Sequence, residues 1–129
     1  MKITFSAETT KEIITNYFQD SLDMNVNVHF IPQNADEKQN MRIFVCGKLI
    51  VSNDIQNYQE YLSTHRLTEI FSSELSKQGF ELQNLTLLKP RTTIHKKPNG
   101  IQKTNISFRG VEVNVFKQEK QINRSKKRI

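Results

Sequence analysis

With one cysteine, no tryptophan, four glycines and three prolines in 129 residues, this chain lacks what several protein classes require. A lone thiol, Cys46, cannot close an internal disulfide, which removes the small disulfide-stapled secreted folds. Gly47, Gly79, Gly100 and Gly110 stand far apart, so no glycine-rich loop cradles a phosphate and nucleotide hydrolysis is disfavoured. The N-terminus has no apolar signal region. The most apolar window, Ile43 to Val51, is interrupted by Lys48 and falls far short of the roughly 20 residues a membrane helix needs. The expectation is an intracellular, cytoplasmic protein with no membrane partner.

Clustered chemistry is also missing. His29, His65 and His95 are isolated, and with one cysteine they show no metal-ligand spacing, so neither metal nor cofactor is expected. A Cys46–His pair would exist only if folding assembled it; a thiol in an apolar strand reads more simply as a small buried hydrophobe. Tyr58 and Tyr61 have the spacing of paired nucleophilic tyrosines on a helix, but the metal-binding histidines of that chemistry are absent. Both are read as core and boundary residues. The expectation is a protein without catalytic activity.

Acids are nearly missing from one place, the C-terminal third. Residues 89–129 hold twelve Lys and Arg against Glu112 and Glu119, a balance of +10, whereas residues 1–88 hold seven against eleven, a balance of −4. Sorting of this kind points to a polyanionic partner for the basic part. With 36% hydrophobic and 25% charged residues, the chain has enough apolar material for one ordered unit. The division expected is a single domain over 1–117, with a body over 1–88 and a basic β-meander over 89–117, followed by a flexible basic tail over 118–129.

In chain order, alternation over Lys2–Phe5 predicts a strand. Thr9 with Glu12 has the pattern of a capping box, and Ile13, Ile14, Tyr17, Phe18 and Leu22 follow at helical spacing. Met24, Val26, Val28 and Phe30 alternate with polar residues as a second strand that Pro32 ends, and 33–40 reads as a solvated connection. Met41 to Val51 predicts a third strand buried on both faces, with a bulge or bend at Gly47. Asn53 with Gln56 reads as another cap, opening a helix through Ile55, Tyr58, Tyr61, Leu62, Leu67, Ile70, Phe71 and Leu75 to Gly79. Its apolar phase slips at Thr64–Arg66. Leu82 to Leu88 predicts a fourth strand. The sum is an α+β, ferredoxin-like β-α-β-β-α-β body.

That order resembles the RNA-recognition motif, whose third strand carries an Arg/Lys-Gly-aromatic-Gly-aromatic run. Here the strand reads Arg42-Ile43-Phe44-Val45-Cys46-Gly47, so the likeness is one of order alone and carries no residues across. Phe44, Phe108 and Phe116 have apolar neighbours and are assigned to the core.

Beyond Pro90, Lys97-Pro98-Asn99-Gly100 is the strongest turn signal in the chain, and it predicts a hairpin between Arg91–Lys97 and Ile101–Phe108. Arg109-Gly110 then offers a second reversal into Val111, Val113 and Val115. The candidate phosphate contacts are Arg91, His95, Lys96, Lys97, Lys103 and Arg109 on the hairpin, with Arg124, Lys126, Lys127 and Arg128 in the tail. The leading expectation is therefore a small protein that binds DNA or RNA through this segment, while its acidic body contacts a protein or a second copy. Three alternatives stand beside it: a solvated hairpin that only keeps the chain soluble, an inhibitor or accessory gripping the acidic surface of a nucleic-acid enzyme, and a ligand-binding or enzymatic ferredoxin-like dimer.

Overall fold

Ile3 and Phe5 point the same way from strand β1 (Lys2–Phe5) and open the core that the rest of the chain fills. The computed structural model describes residues 1–35 and 38–118, which form two helices and eight strands in antiparallel sheets, an α+β fold. Helix α1 (Ala7–Leu22) starts earlier than the Thr9–Glu12 pattern implies, because Ser6 caps it: the Thr9 N–H donates to Ser6 Oγ at 3.1 Å. Thr10, Ile14 and Phe18 are buried at four-residue spacing, and the helix stops at Asp23 in a left-handed conformation.

Strands β2 (Val26–Ala35), β3 (Lys38–Val51) and β4 (Asp54–Leu62) form one meandering sheet. Pro32 does not end β2; it stands opposite Met41, and because β2 is an edge, the missing N–H is tolerated. The predicted connection over 33–40 is instead mostly paired backbone, with Gln33 to Ala35 opposite Asn40 to Lys38. β3 is buried on one face only: Met41, Ile43 and Val45 point inward, whereas Arg42 and Lys48 are exposed and Phe44 and Cys46 half-buried. Nor does Gly47 make a bulge, since its register is unbroken on both sides. It lies so close to the preceding segment that a Cβ there would come within 2.6 Å of the Asn25 carbonyl oxygen.

The largest departure is β4. Its residues were expected to begin a long helix, yet they run back along β3 through a two-residue turn in which Ser52 and Asn53 both have positive φ. The second helix, α2 (Thr64–Ser76), starts where the apolar phase slips, and Ser63 Oγ accepts from the Arg66 N–H at 3.1 Å. After it come β5 (Phe80–Leu87), β6 (Arg91–Lys96), β7 (Gln102–Ser107) and β8 (Val111–Lys117).

β8 does not continue a meander with β6 and β7. It enters between β1 and β5 as the middle strand of a second sheet, leaving β6 and β7 as a pair of their own. The orders β1-β8-β5 and β2-β3-β4 thus replace the single sheet of a ferredoxin-like fold. Val111, Val113 and Val115 explain the placement: a row this apolar is buried only with strands on both sides and helices beneath. α1 touches β1 and β2, while α2 touches β5 and β4, so both sheets share one core with the helices.

A polar seam crosses that arrangement. Arg66 on α2 donates from Nε to Glu60 at 3.1 Å and from a terminal nitrogen to the Tyr17 hydroxyl at 3.3 Å, with its guanidinium 5.4 Å from the Tyr17 ring centre. Tyr58 donates its hydroxyl proton to the other Glu60 oxygen. Burial first, and then the Glu60 bond and charge, raise the Tyr58 pKa above its usual 10.0. The folded chain keeps this proton in a window opening near pH 10, where the unfolded chain loses it, so stability falls as pH rises through that window. Urea denaturation at pH 9 and pH 11 should therefore show a smaller loss for Tyr58→Phe than for the parent chain; equal losses would contradict this.

Candidate nucleic-acid interface

The β6–β7 ribbon is set by its turn. Lys97 and Ile101 close it with an N–H···O bond of 2.9 Å, the Gly100 N–H donates to the Lys97 carbonyl at 2.9 Å, and Asn99 Oδ1 accepts from the Ile101 N–H at 3.1 Å. Gly100 has φ +86, a conformation that a side chain would strain. The base is anchored by Phe108, buried against Phe30 with ring centres 4.4 Å apart, and by half-buried Ile106. Every residue from Arg91 to Gln102 is exposed, including Ile94 and Ile101.

The strand register sorts the candidate cations. Arg91 and His95 share one face with Thr93, Asn105 and Ser107, and position 103 pairs with His95 in that row. Lys96 belongs to the opposite face with Ile94 and Ile106, Lys97 sits at the turn, and Arg109 lies exposed beyond β7. The six candidates are brought to one ribbon, but not to one face of it. Arg124, Lys126, Lys127 and Arg128 lie outside the described residues.

Four acids of the front half are engaged away from the ribbon. Glu60 and Glu69 hold Arg66; Asp20 and Glu74 hold Lys77, at 2.9 and 2.7 Å. Glu112, the one acid in the described part of the basic segment, faces Lys2 at 3.6 Å. Among the described residues no ion pair involves Arg91, His95, Lys96, Lys97 or Arg109. No described acid neutralises the four Lys and Arg side chains among them.

A second surface was missed in the sequence. On the outer face of β2-β3-β4, His29, Phe44 and Tyr61 stand opposite one another as a row across three strands. Phe44 and Tyr61 have ring centres 4.8 Å apart, His29 and Phe44 6.3 Å apart, and the Arg42 guanidinium lies 4.4 Å from the centre of the Tyr61 ring. The next row is Asn27, Cys46 and Gln59, beside Lys48 and Asn57. Cys46 is thus half-buried on this outer face, not a core hydrophobe, and among the described residues it makes no hydrogen bond with a histidine. Phe108 is buried as expected, while Phe116 is exposed. The signal that would have found this face is the alternation of Asn57, Gln59 and Tyr61, hidden by reading β4 as a helix.

Among the described residues no helix is long and apolar enough to cross a membrane. Comparison of the chain with models of protein families, with curated proteins and with solved structures gives no match.

Proposed function

We propose that this chain is an intracellular, non-enzymatic nucleic-acid-binding protein that holds phosphates with the β6–β7 ribbon. The observation that carries the reading is that Arg91, Lys96, Lys97 and Arg109, on or beside an exposed ribbon, pair with no described acid, while the described ion pairs all lie off the ribbon. Phosphate oxygens are the partner such a surface fits, because cations spaced along a ribbon each release a condensed counterion on contact. Thr93, Asn105 and Ser107, beside Arg91 and His95, add short hydrogen-bonding groups to the same face. The lone Cys46 fits a reducing compartment.

Anisotropy titration of the full chain at 0.1 M salt against duplex DNA, single-stranded DNA and single-stranded RNA tests this. The expected result is saturable binding at micromolar concentration or below. A chain that binds none of the three, yet co-purifies with a protein after nuclease treatment, would instead be an accessory gripping an acidic protein surface.

A further inference from the structure

The outer face of β2-β3-β4 bears a row of rings, a cation stacked on one of them, and a row of amides, and no helix of the described chain covers it. The geometry points to this face as a platform for unpaired bases, making single-stranded nucleic acid the preferred ligand. The inference rests on the proposed function and deepens it: the ribbon supplies phosphate affinity, and the sheet selects strands whose bases are free to stack.

Three features carry it. Tyr61, on the edge strand β4, is 50% exposed and Phe44, on the central strand, half-buried, so ring surface reaches solvent on this face, while the planar Arg42 guanidinium above Tyr61 offers a second stacking surface. Bases stack on aromatic rings and on guanidinium planes, and every base has a face to offer. One row away, about 7 Å along the strands, Asn27 and Gln59 flank Cys46, and Asn57 lies opposite Lys48. Asn27, Asn57 and Gln59 are exposed and make no side-chain hydrogen bond to another described residue. Amides both donate and accept, which suits the mixed edges of bases, and Lys48 is placed for a phosphate.

Asn27, Cys46, Lys48, Asn57 and Gln59, one row away from the rings, line an open notch of about 590 Å³, where β2 begins opposite Gly47 while β3 and β4 run on past it. Asp23 is the one acid in its lining. The outward rows themselves contain Arg42, Lys48 and His29 and no carboxylate. That charge decides the occupant. Exposed Ile50 and Ile55 at the β3–β4 tip could serve a second copy of the chain, but face-to-face docking would set Arg42 and Lys48 against their equivalents with nothing negative in those rows between them. A polyanion with stackable bases answers both the rings and the charge.

The test uses the full chain and four probes: an oligothymidine, its RNA counterpart, an abasic strand of equal length carrying phosphates only, and a duplex. Either base-bearing single strand should bind at least tenfold tighter than the abasic strand. Tyr61→Leu with Phe44→Leu should lower single-strand affinity about tenfold and leave abasic and duplex affinity within about twofold. Gln59→Leu, at an exposed position with no side-chain hydrogen bond to another described residue, should lower single-strand affinity while leaving abasic affinity within about twofold, even if the double variant fails to fold. Equal affinity for abasic and base-bearing strands would overturn the platform and leave the ribbon reading intact. So would a Phe44/Tyr61 variant that loses only self-association in sedimentation. Failure of all four probes would instead remove the proposed function.

Discussion

Reversing two charges at the ribbon tip, Lys96→Glu with Lys97→Glu, is expected to weaken binding to every nucleic acid by about 60-fold or more at 0.1 M salt. The magnitude follows from counterion release: each phosphate neutralised on duplex DNA contributes a salt exponent of about 0.9, so two lost contacts at 0.1 M remove about 60-fold, and the introduced carboxylates add repulsion. Both lysines are exposed and neither pairs with a described acid, so no ion pair among the described residues is lost. The melting temperature should therefore stay within about 2 °C of the parent, as for surface substitutions generally. Because phosphates are common to all sequences, the loss should be the same for any base composition. Titrations of the double variant beside Lys2→Glu, a cation on the body paired with Glu112, would show whether the ribbon or mere net charge is responsible. Equal losses in the two would exclude the ribbon.

The largest stability effect is expected at Gly110, in the connection that sends β8 into the middle of its sheet. Its φ of +121 lies in the region that side chains avoid, and a Cβ built there would overlap the Phe5 carbonyl oxygen at the end of β1. The Gly110 carbonyl also accepts from the Leu88 N–H at 3.0 Å, tying the end of β5 to the start of β8. Gly110→Ala must then either push β1 away or turn the backbone and break that bond. A loss on the order of 3 kcal/mol is expected in urea denaturation, from backbone strain together with displacement of packed strands. Gly79→Ala is the control. It too has positive φ, but nothing lies within 4 Å of a Cβ there, so it should cost about 1 kcal/mol from backbone conformation alone. Similar losses at the two glycines would show that close approach to β1 is not what Gly110 serves.

How much of this was legible in the sequence depends on how local each cause is. β1, the body of α1, β5 and the Lys97–Gly100 turn could be read because alternation, helical spacing and turn chemistry are properties of a few neighbouring residues. β4 could not. Ile55, Tyr58, Tyr61 and Leu62 imitate a helical stripe, while the true inward row runs Tyr58, Glu60, Leu62, with a carboxylate at its centre. Glu60 is acceptable there only because Arg66, from the next element, comes back to meet it. Polarity along the strand gives no sign of that partner. The place of β8 was hidden for a different reason: its partners are residues 2–5 and 80–87, and pairing at such separation is decided by where unfilled edges remain after folding. The ribbon cations were legible from the charge sorting and the Lys97–Gly100 turn, but their division between two faces required the register. The ring row needed β4 to be a strand before Tyr61 could stand beside Phe44.

The central claim, that the ribbon's cations hold phosphates, is tested most directly by the salt dependence of binding. With about five contacts, from Arg91, Lys96, Lys97, Lys103 and Arg109, log K against log salt should fall with a slope near −4.5 on duplex DNA and near −3.5 on a single strand. A slope between zero and about −1 on both would contradict the account, because binding would then owe almost nothing to these charges.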